Sequence, residues 1–320
     1  MTYGRWREQM YDYKEELRKI EEEITNQLEL FLKAEEYYKN GEFKESAELY
    51  RQSAFPVTGE DCYNWGVVLN KGINGIQYPE LAIKYFKQAA DKYDYMSAQR
   101  VLTDFYYFGK VSGTPDYEQA YYYAKQAAKN SDGYGKYMVG LLYYNGEYVE
   151  KDYNEARKNF ENVGCCCVKT DNIMMYTYYI LGVMSYKGQG GKTNFSVAKE
   201  YFEEYLEEKD REYDAEVYYY LGMIYLKAEN YLRDIDRSYL YFKMSEEIKE
   251  DDENEFWIGI LSCALGDENV VNKESDTWLR KAEAHGNKMA KKCLADDNIK
   301  AKYVKEAKGN KDVFDKNSNR

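Results

Sequence analysis

Apolar residues recur along this chain in short blocks, with spacings of three and four positions that are typical of helices burying one face. Six of the blocks contain a small residue, and these small residues follow one another at intervals of roughly 40 positions. They are Gly66, Thr103, Gly140, Gly182, Gly222 and Gly259, called the anchors below. A period of this length predicts an array of similar helix pairs rather than one compact core.

A polar loop and a second helical segment follow each anchor. The second segment has its own small residue, about 16 positions after the anchor. These residues are Ala82, Ala120, Ala156, Ala198, Ser238 and Ser275. Four positions further on, a larger apolar residue is usual, and a spacing of four places both residues on one helix face. We therefore expect the two helices of each pair to approach closely, and stacked pairs to bury a continuous core.

A glycine ends the first helix in most copies, where the chain needs a left-handed backbone that glycine adopts at little cost. The glycines are Gly72, Gly109, Gly146, Gly188 and Gly266. Ala228 stands at this position in the remaining copy, so we expect that turn to be built differently.

The ends of the chain depart from this pattern. Residues 28–61 form a shorter unit that contains KAEEYYKNGEFKESAELYRQSA at 33–54, in which Ala34 and Ser46 are closer together than the equivalent pairs elsewhere. Residues 1–27 carry an apolar stripe that predicts an amphipathic helix capping the first repeat, or alternatively one that supports weak self-association. Residues 296–320 are polar, which predicts a C-terminal cap with a frayed helix and a disordered tail.

The longer units, spanning residues 62–295, resemble Sel-one-like repeats, a relative of the tetratricopeptide repeat with an extended loop between its two helices. The best copy is YMVGLLYYNGEYVEKDYNEARKNFENV, from Tyr137 to Val163, whereas the unit at 28–61 resembles an ordinary tetratricopeptide repeat. The resemblance implies an all-α fold, a right-handed α-solenoid of about seven helix-turn-helix repeats. It also implies an adaptor or scaffold role, without indicating a particular partner.

The net charge and the apolar runs limit which partners and which cellular compartment we expect for this protein. The net charge of −12 disfavours nucleic acid and anionic membrane as partners, and is explained either by solubility or by a basic partner. The first residues have no apolar leader, and no run of 18 apolar residues predicts a transmembrane helix. We interpret the six cysteines, three of them adjacent at 165–167, as reduced thiols of a cytoplasmic protein.

Several short motifs resemble chemical sites, and we assign none of them a catalytic, cofactor-binding or metal-binding role. The segment GQGGKT at 188–193 follows an apolar helix rather than the strand that a phosphate loop requires. Ser196-Val-Ala-Lys199 matches one motif of penicillin-recognising enzymes, but the partner motifs are missing. The single histidine, His285, is expected at a helix end on the surface, and the acidic run 246–255 is expected to be a solvated connector.

Tyrosine is unusually abundant, with 38 copies, and it recurs three positions before and four positions after the anchors. In repeats that resemble these, the first helix of each pair lines the concave face. We therefore predict an aromatic groove for a protein or peptide, since tyrosine offers a broad apolar face and a polar tip. The predicted lining is Phe31, Tyr38, Tyr63, Tyr107, Tyr137, Tyr144, Tyr179, Tyr186, Tyr219 and Phe256.

Other interpretations remain open at this stage. The tyrosines could serve helix packing rather than binding, and lysines at the first-helix ends could complement the helix dipole or meet an acidic segment. The chain could also be a hydrolase-type enzyme built on the repeats, like β-lactamase-like relatives of this family. A further alternative is an immunity or regulatory protein with one tight partner. The sequence favours a non-catalytic protein-interaction scaffold.

Overall fold

A computed structural model describes residues 3–42, 45, 48–49, 52–53, 58–72, 77–110, 112–164, 172–208, 211–228, 232–266 and 273–309. Every regular element within these residues is a helix. The chain divides into two compact units, an N-terminal unit of residues 1–152 with 162–167, and a C-terminal unit of residues 153–161 with 168–320. The all-helical fold predicted from the sequence is confirmed.

The N-terminal unit contains a long first helix and five shorter ones within the described residues. They are α1 (Tyr3–Lys39), α2 (Gly59–Lys71), α3 (Pro79–Lys87, continued by a π turn at Gln88–Lys92), α4 (Met96–Tyr107), α5 (Tyr117–Lys129) and α6 (Gly133–Asn145).

The C-terminal unit contains nine helices in the part of the chain that the structure describes. They are α7 (Tyr153–Glu161), α8 (Ile173–Lys187), α9 (Phe195–Glu207), α10 (Asp214–Lys227), α11 (Ile235–Ile248), α12 (Asp252–Leu265), α13 (Lys273–Ala284), α14 (Lys288–Ala295) and α15 (Asp297–Lys308).

Anchor glycines lie directly against a large side chain of the following helix. The pairs are Gly66 with Phe86, Gly182 with Phe202, Gly222 with Phe242, and Gly259 with Leu279. A Cβ atom added to Gly182 would lie 2.5 Å from the fully buried ring of Phe202, so only glycine allows this approach. The small and large residues of the sequence repeat are therefore complementary halves of one contact.

A backbone hydrogen bond recurs in the loops that connect the two helices of a pair, in five pairs of the described chain. The N–H of the residue before the second helix donates to the carbonyl oxygen three positions after the anchor, as in Asp116 to Tyr106 (2.8 Å) and Asn194 to Ser185 (2.9 Å). The expected left-handed glycine is present at Gly146 (φ 76°). The same expectation is wrong at Gly266, which is extended with φ −73°.

Both ends are more regular than the sequence suggested. A single helix, α1, runs through the predicted boundary at residue 27 and buries Leu28 and Phe31 beside α2. The second helix of the short unit at 28–61 lies largely outside the described residues, as does the predicted tail from residue 310 onward. Helix α15 packs Tyr303 and Val304 against α12 and buries Ala307, so this helix is better anchored than its polar composition predicted.

Candidate protein-binding surfaces

Seven of the ten predicted groove residues are tyrosines whose side chains the structure describes, and all seven are half-buried. They are Tyr63, Tyr107, Tyr137 and Tyr144 in the N-terminal unit, and Tyr179, Tyr186 and Tyr219 in the C-terminal unit. Each lies on the first helix of a pair, as the repeat register predicted. The side chain of Tyr38 lies outside the described part of the chain.

The prediction that Phe31 and Phe256 line the groove is wrong, because both side chains are buried. Phe31 is 8% exposed and packs edge-on against Trp65, with 5.9 Å between the ring centres. Phe256 is 4% exposed and lies 5.3 Å from the ring of Tyr303 on α15. The C-terminal helix covers Phe256, so both residues belong to the core and not to an accessible surface.

In the N-terminal unit, Tyr107 combines packing with a polar contact. Its hydroxyl donates to Glu147 at 3.0 Å, while its ring lies 5.4 Å from that of Tyr117. Burial, together with the charge of Glu147, raises the pKa of Tyr107. The phenol therefore stays protonated at neutral pH and acts as a hydrogen-bond donor.

A nearby polar group on α4 and α6 was not foreseen from the sequence. The Tyr134 hydroxyl donates to Asp104, and the guanidinium of Arg100 lies 5.1 Å from the centre of the Tyr134 ring. Arg100 occupies a groove position in the repeat register, so a cation replaces the usual tyrosine there. In the sequence, only the separation between Arg100 and Tyr134 could have indicated that these two side chains meet.

The tyrosines of the C-terminal unit are more tightly packed. Tyr179 stacks on Tyr213 with ring centres 4.2 Å apart, and Tyr186 lies 5.0 Å from Tyr220. Since these rings also support one another, the interpretation that tyrosine serves helix packing is partly correct. The same residues keep an exposed edge, so packing and partner contact are compatible here.

Polar contacts connect the tyrosines of α8 and α10 to charged residues of α10 and α12. Lys227 donates to the Tyr186 hydroxyl at 3.3 Å, and the Tyr219 hydroxyl donates to Glu253 at 2.5 Å. Burial lowers the pKa of Lys227, whereas burial raises the pKa values of Tyr186 and Tyr219. This surface therefore presents phenol donors, one carboxylate and one partly desolvated ammonium beside aromatic faces.

The motifs that resemble chemical sites have structural roles. Gly188 is the left-handed cap of α8 (φ 70°), so GQGGKT forms the loop of a helix pair. Lys199 of the Ser-x-x-Lys match bonds to Glu203 at 2.7 Å.

The prediction that the acidic run 246–255 is a solvated connector is wrong for two of its residues. Glu246 and Glu255 are 7% and 0% exposed rather than solvated, and Lys281 lies 2.8 and 3.0 Å from their carboxylate oxygens. His285 is exposed as predicted, but its Nδ1 lies 2.9 Å from the buried Glu255 carboxylate. The Lys281 ammonium therefore compensates the buried negative charge, and His285 adds a hydrogen-bonding contact to the same carboxylate.

Cysteine chemistry is disfavoured where the structure describes the thiols. Cys62, Cys263 and Cys293 are unpaired. Burial raises the pKa of Cys62, and raises that of Cys293 to about 11, so both are protonated at neutral pH and poorly nucleophilic. The triplet at 165–167 lies outside the described residues.

Among the described helices, none combines the length and apolar character needed to cross a bilayer.

Comparison with known proteins agrees with this architecture. The chain is similar to a protective antigen of uropathogenic Escherichia coli that displays an SLR fold, with 20% identity, a TM-score of 0.53, and coverage of 88% of this chain and 68% of that one. It is also similar to a Sel1 repeat protein from Oxalobacter formigenes, with 20% identity, a TM-score of 0.50, and coverage of 79% and 96%. These likenesses support the fold alone. A comparison with curated protein sequences found no match.

The family itself is identified by the sequence pattern of its repeat. The Sel1 repeat matches residues 59–94, 97–132, 133–161, 176–204 and 215–247, which together make up about half of the chain. The pair α12–α13 lies beyond these stretches but repeats their contact, with Gly259 against Leu279. The chain belongs to the Sel1 repeat family.

Proposed function

We propose that this protein is a non-catalytic scaffold that binds a partner protein through the tyrosine-rich surfaces of the first helices in its repeats. Sel1 repeat proteins generally act as protein-interaction scaffolds, which supports the coarse assignment. The more specific assignment, binding through the tyrosine-rich surfaces, rests on the burial of the predicted groove residues. All seven described groove tyrosines are half-buried, whereas Phe31 and Phe256 are buried.

The energetic argument rests on what a half-buried tyrosine contributes. Its ring is already held by neighbours, so little rotamer entropy remains to be lost when a partner covers the exposed edge. Covering several such rings removes apolar area from water, and their hydroxyls can satisfy polar groups of the partner. Aromatic anchors of this type are enriched among the residues that dominate binding energies at protein interfaces.

The test is affinity capture from the native host, followed by mass spectrometry and by quantitative binding to the captured partner. Tyr144→Ala and Tyr186→Ala are compared, one at a time, with Tyr122→Ala. Tyr122 is 49% exposed and lies on α5, a second helix of its pair, so its replacement is a matched control.

We expect Tyr144→Ala and Tyr186→Ala to weaken partner binding by about tenfold or more each, and Tyr122→Ala to leave it unchanged. Circular dichroism of each variant checks that equal amounts of folded protein are compared. If all three variants bind equally well, the groove tyrosines are packing residues and the proposed surface is wrong.

A further inference from the structure

A small cavity in the C-terminal unit has the composition of a binding site for a cationic group. It lies between the first turns of α10 and α12 and the end of α11, and its volume is about 180 Å³. A single water needs roughly 10–15 Å³ of such space, so the cavity accommodates a group of several heavy atoms. Its residues belong partly to the tyrosine-rich surface described above, because Tyr219 and Tyr220 line it.

The charge of the cavity wall is negative. Glu216, Asp251 and Glu253 line it with carboxylates, against one ammonium, that of Lys249. The Lys249 Nζ lies 3.6 Å from Glu216, with 65% of its own side chain exposed, so it offsets this charge weakly. The Asp251 carboxylate also accepts the backbone N–H of Asn254 at the start of α12. That helix end is thus already capped, and the wall favours a cation over an anion.

Asn254 provides an independent indication of a missing donor. It is 3% exposed and lines the cavity, and its Nδ2 donates to the Ser245 hydroxyl at 2.9 Å. The Ser245 hydroxyl donates its only proton to the Ala215 carbonyl at 2.7 Å, so it can only accept from Asn254. This fixes the orientation of the amide. Its Oδ1 is then a buried acceptor with no hydrogen-bond partner among the described residues, and a donor from a ligand or a water in the cavity would satisfy it.

The aromatic residues suit a planar cation. The rings of Tyr219 and Tyr220 lie 5.7 Å apart, and the Tyr219 hydroxyl holds Glu253 through a 2.5 Å hydrogen bond. An ionised carboxylate has about four acceptor sites, so this bond leaves most of its capacity available. A guanidinium both stacks on aromatic faces and bonds to carboxylates through a rigid fork of five N–H donors, which an ammonium does not.

We infer that this cavity receives an arginine side chain of the partner protein, with Glu216, Glu253 and Asn254 as acceptors and the two tyrosines as the aromatic wall. The inference rests on the proposed binding function and specifies the chemistry of the partner. The net charge of −12 also favours a basic partner, because it attracts a basic segment over longer distances.

The test uses the full chain, labelled with ¹⁵N, and two blocked amino acids as probes. N-acetyl-arginine amide is titrated against N-acetyl-citrulline amide, in which a neutral urea of nearly the same shape replaces the guanidinium. We expect saturable shifts of the amide signals of Asn254 and Tyr219 with the arginine probe only. Equal shifts with citrulline, or none with arginine, would overturn the assignment.

Charge removal provides the second arm. The double variant Glu216→Gln/Glu253→Gln should weaken arginine-probe binding by at least about tenfold, since hydrogen bonds to charged groups are the stronger ones. Glu247→Gln changes an exposed carboxylate of α11 outside the cavity and should have no effect. Equal weakening by both would show that only the general negative field attracts the probe, and that the cavity is not its site.

The captured partner separates this inference from the proposed function. If Tyr186→Ala weakens partner binding by about tenfold or more while Glu216→Gln/Glu253→Gln leaves it unchanged, the arginine assignment fails and the scaffold function stands. If neither variant affects the partner, both proposals fail.

Discussion

The contact between Gly182 and Phe202 offers a direct test of how each repeat is held together. A Cβ atom at residue 182 would lie 2.5, 2.7 and 2.9 Å from three atoms of the Phe202 ring. The ring is fully buried and stacks on Tyr220 at 5.4 Å on another side, so it has little room to withdraw. Gly182→Ala therefore forces a rearrangement between α8 and α9.

Two opposing terms set the size of the effect. Replacing a mid-helix glycine with alanine stabilises the helix by roughly 0.5–1 kcal/mol, because the unfolded chain loses conformational freedom. Overpacking a well-filled core costs about 1–3 kcal/mol. Overpacking should win, lowering the free energy of unfolding by about 1 kcal/mol.

Gly222 is the matched control, because its added Cβ would lie 3.0 Å from the nearest ring atom of the equally buried Phe242. A shift of a few tenths of an ångström relieves that contact, so the helix-propensity gain should roughly cancel the packing cost. We expect Gly222→Ala to be less destabilising than Gly182→Ala by about 1 kcal/mol. Urea unfolding measures the difference, and hydrogen exchange of the local helices tests whether each change stays within its own repeat.

A double variant identifies the cause. Phe202→Leu should destabilise the wild type, but it should cost less in the Gly182→Ala background, because the smaller side chain makes room for the new methyl group. The coupling free energy should be at least about 0.5 kcal/mol. The reasoning is refuted if Gly182→Ala stabilises the protein by the full helix-propensity gain, or if the two changes are additive.

Two further changes probe other contacts. Gly135→Ala should destabilise the N-terminal unit more than Gly182→Ala destabilises its own repeat, because the new Cβ would lie 2.5 Å from the backbone nitrogen of Ala128, which cannot rotate away; thermal unfolding would check the order. Lys281→Met should cost more than about 2 kcal/mol at pH 7 by leaving Glu246 and Glu255 buried without their ammonium. Burial already raises the pKa of Glu246, so the folded state takes up its proton at a higher pH than the unfolded chain does. Acidification therefore relieves the buried charge, and the deficit in unfolding free energy should shrink as the pH falls below 7; a deficit independent of pH would contradict this.

The repeat was predictable because most copies carry the same packing pattern within a short stretch of sequence. A small residue, a turn and a large residue at fixed offsets are sufficient to place Gly182 against Phe202, whatever the remaining surface residues are. The left-handed turn at Gly188 follows from the same register. Gly266 shows the limit of this reasoning, since a glycine permits a left-handed backbone without requiring it.

Contacts between distant residues were not predictable in the same way. Nothing in the local sequence around Glu255 indicates that Lys281 and His285, about 30 residues later, meet its buried carboxylate. Phe256 has the register of a groove residue, but Tyr303 of the last helix lies against it. In both cases an element from another part of the chain decides whether a side chain is exposed, and a single-repeat pattern carries no information about it.

The tyrosines show why packing and binding need not be alternatives. Phe256, whose side chain has no polar group, is almost completely covered at its groove position. Tyr219 instead packs its ring 5.9 Å from that of Phe242 while its hydroxyl reaches Glu253 at the surface. Packing of the ring fixes where the Tyr219 hydroxyl lies, and the polar hydroxyl allows this part of the side chain to remain at the surface. A surface built in this way is ordered before a partner arrives, which lowers the entropy that binding must overcome.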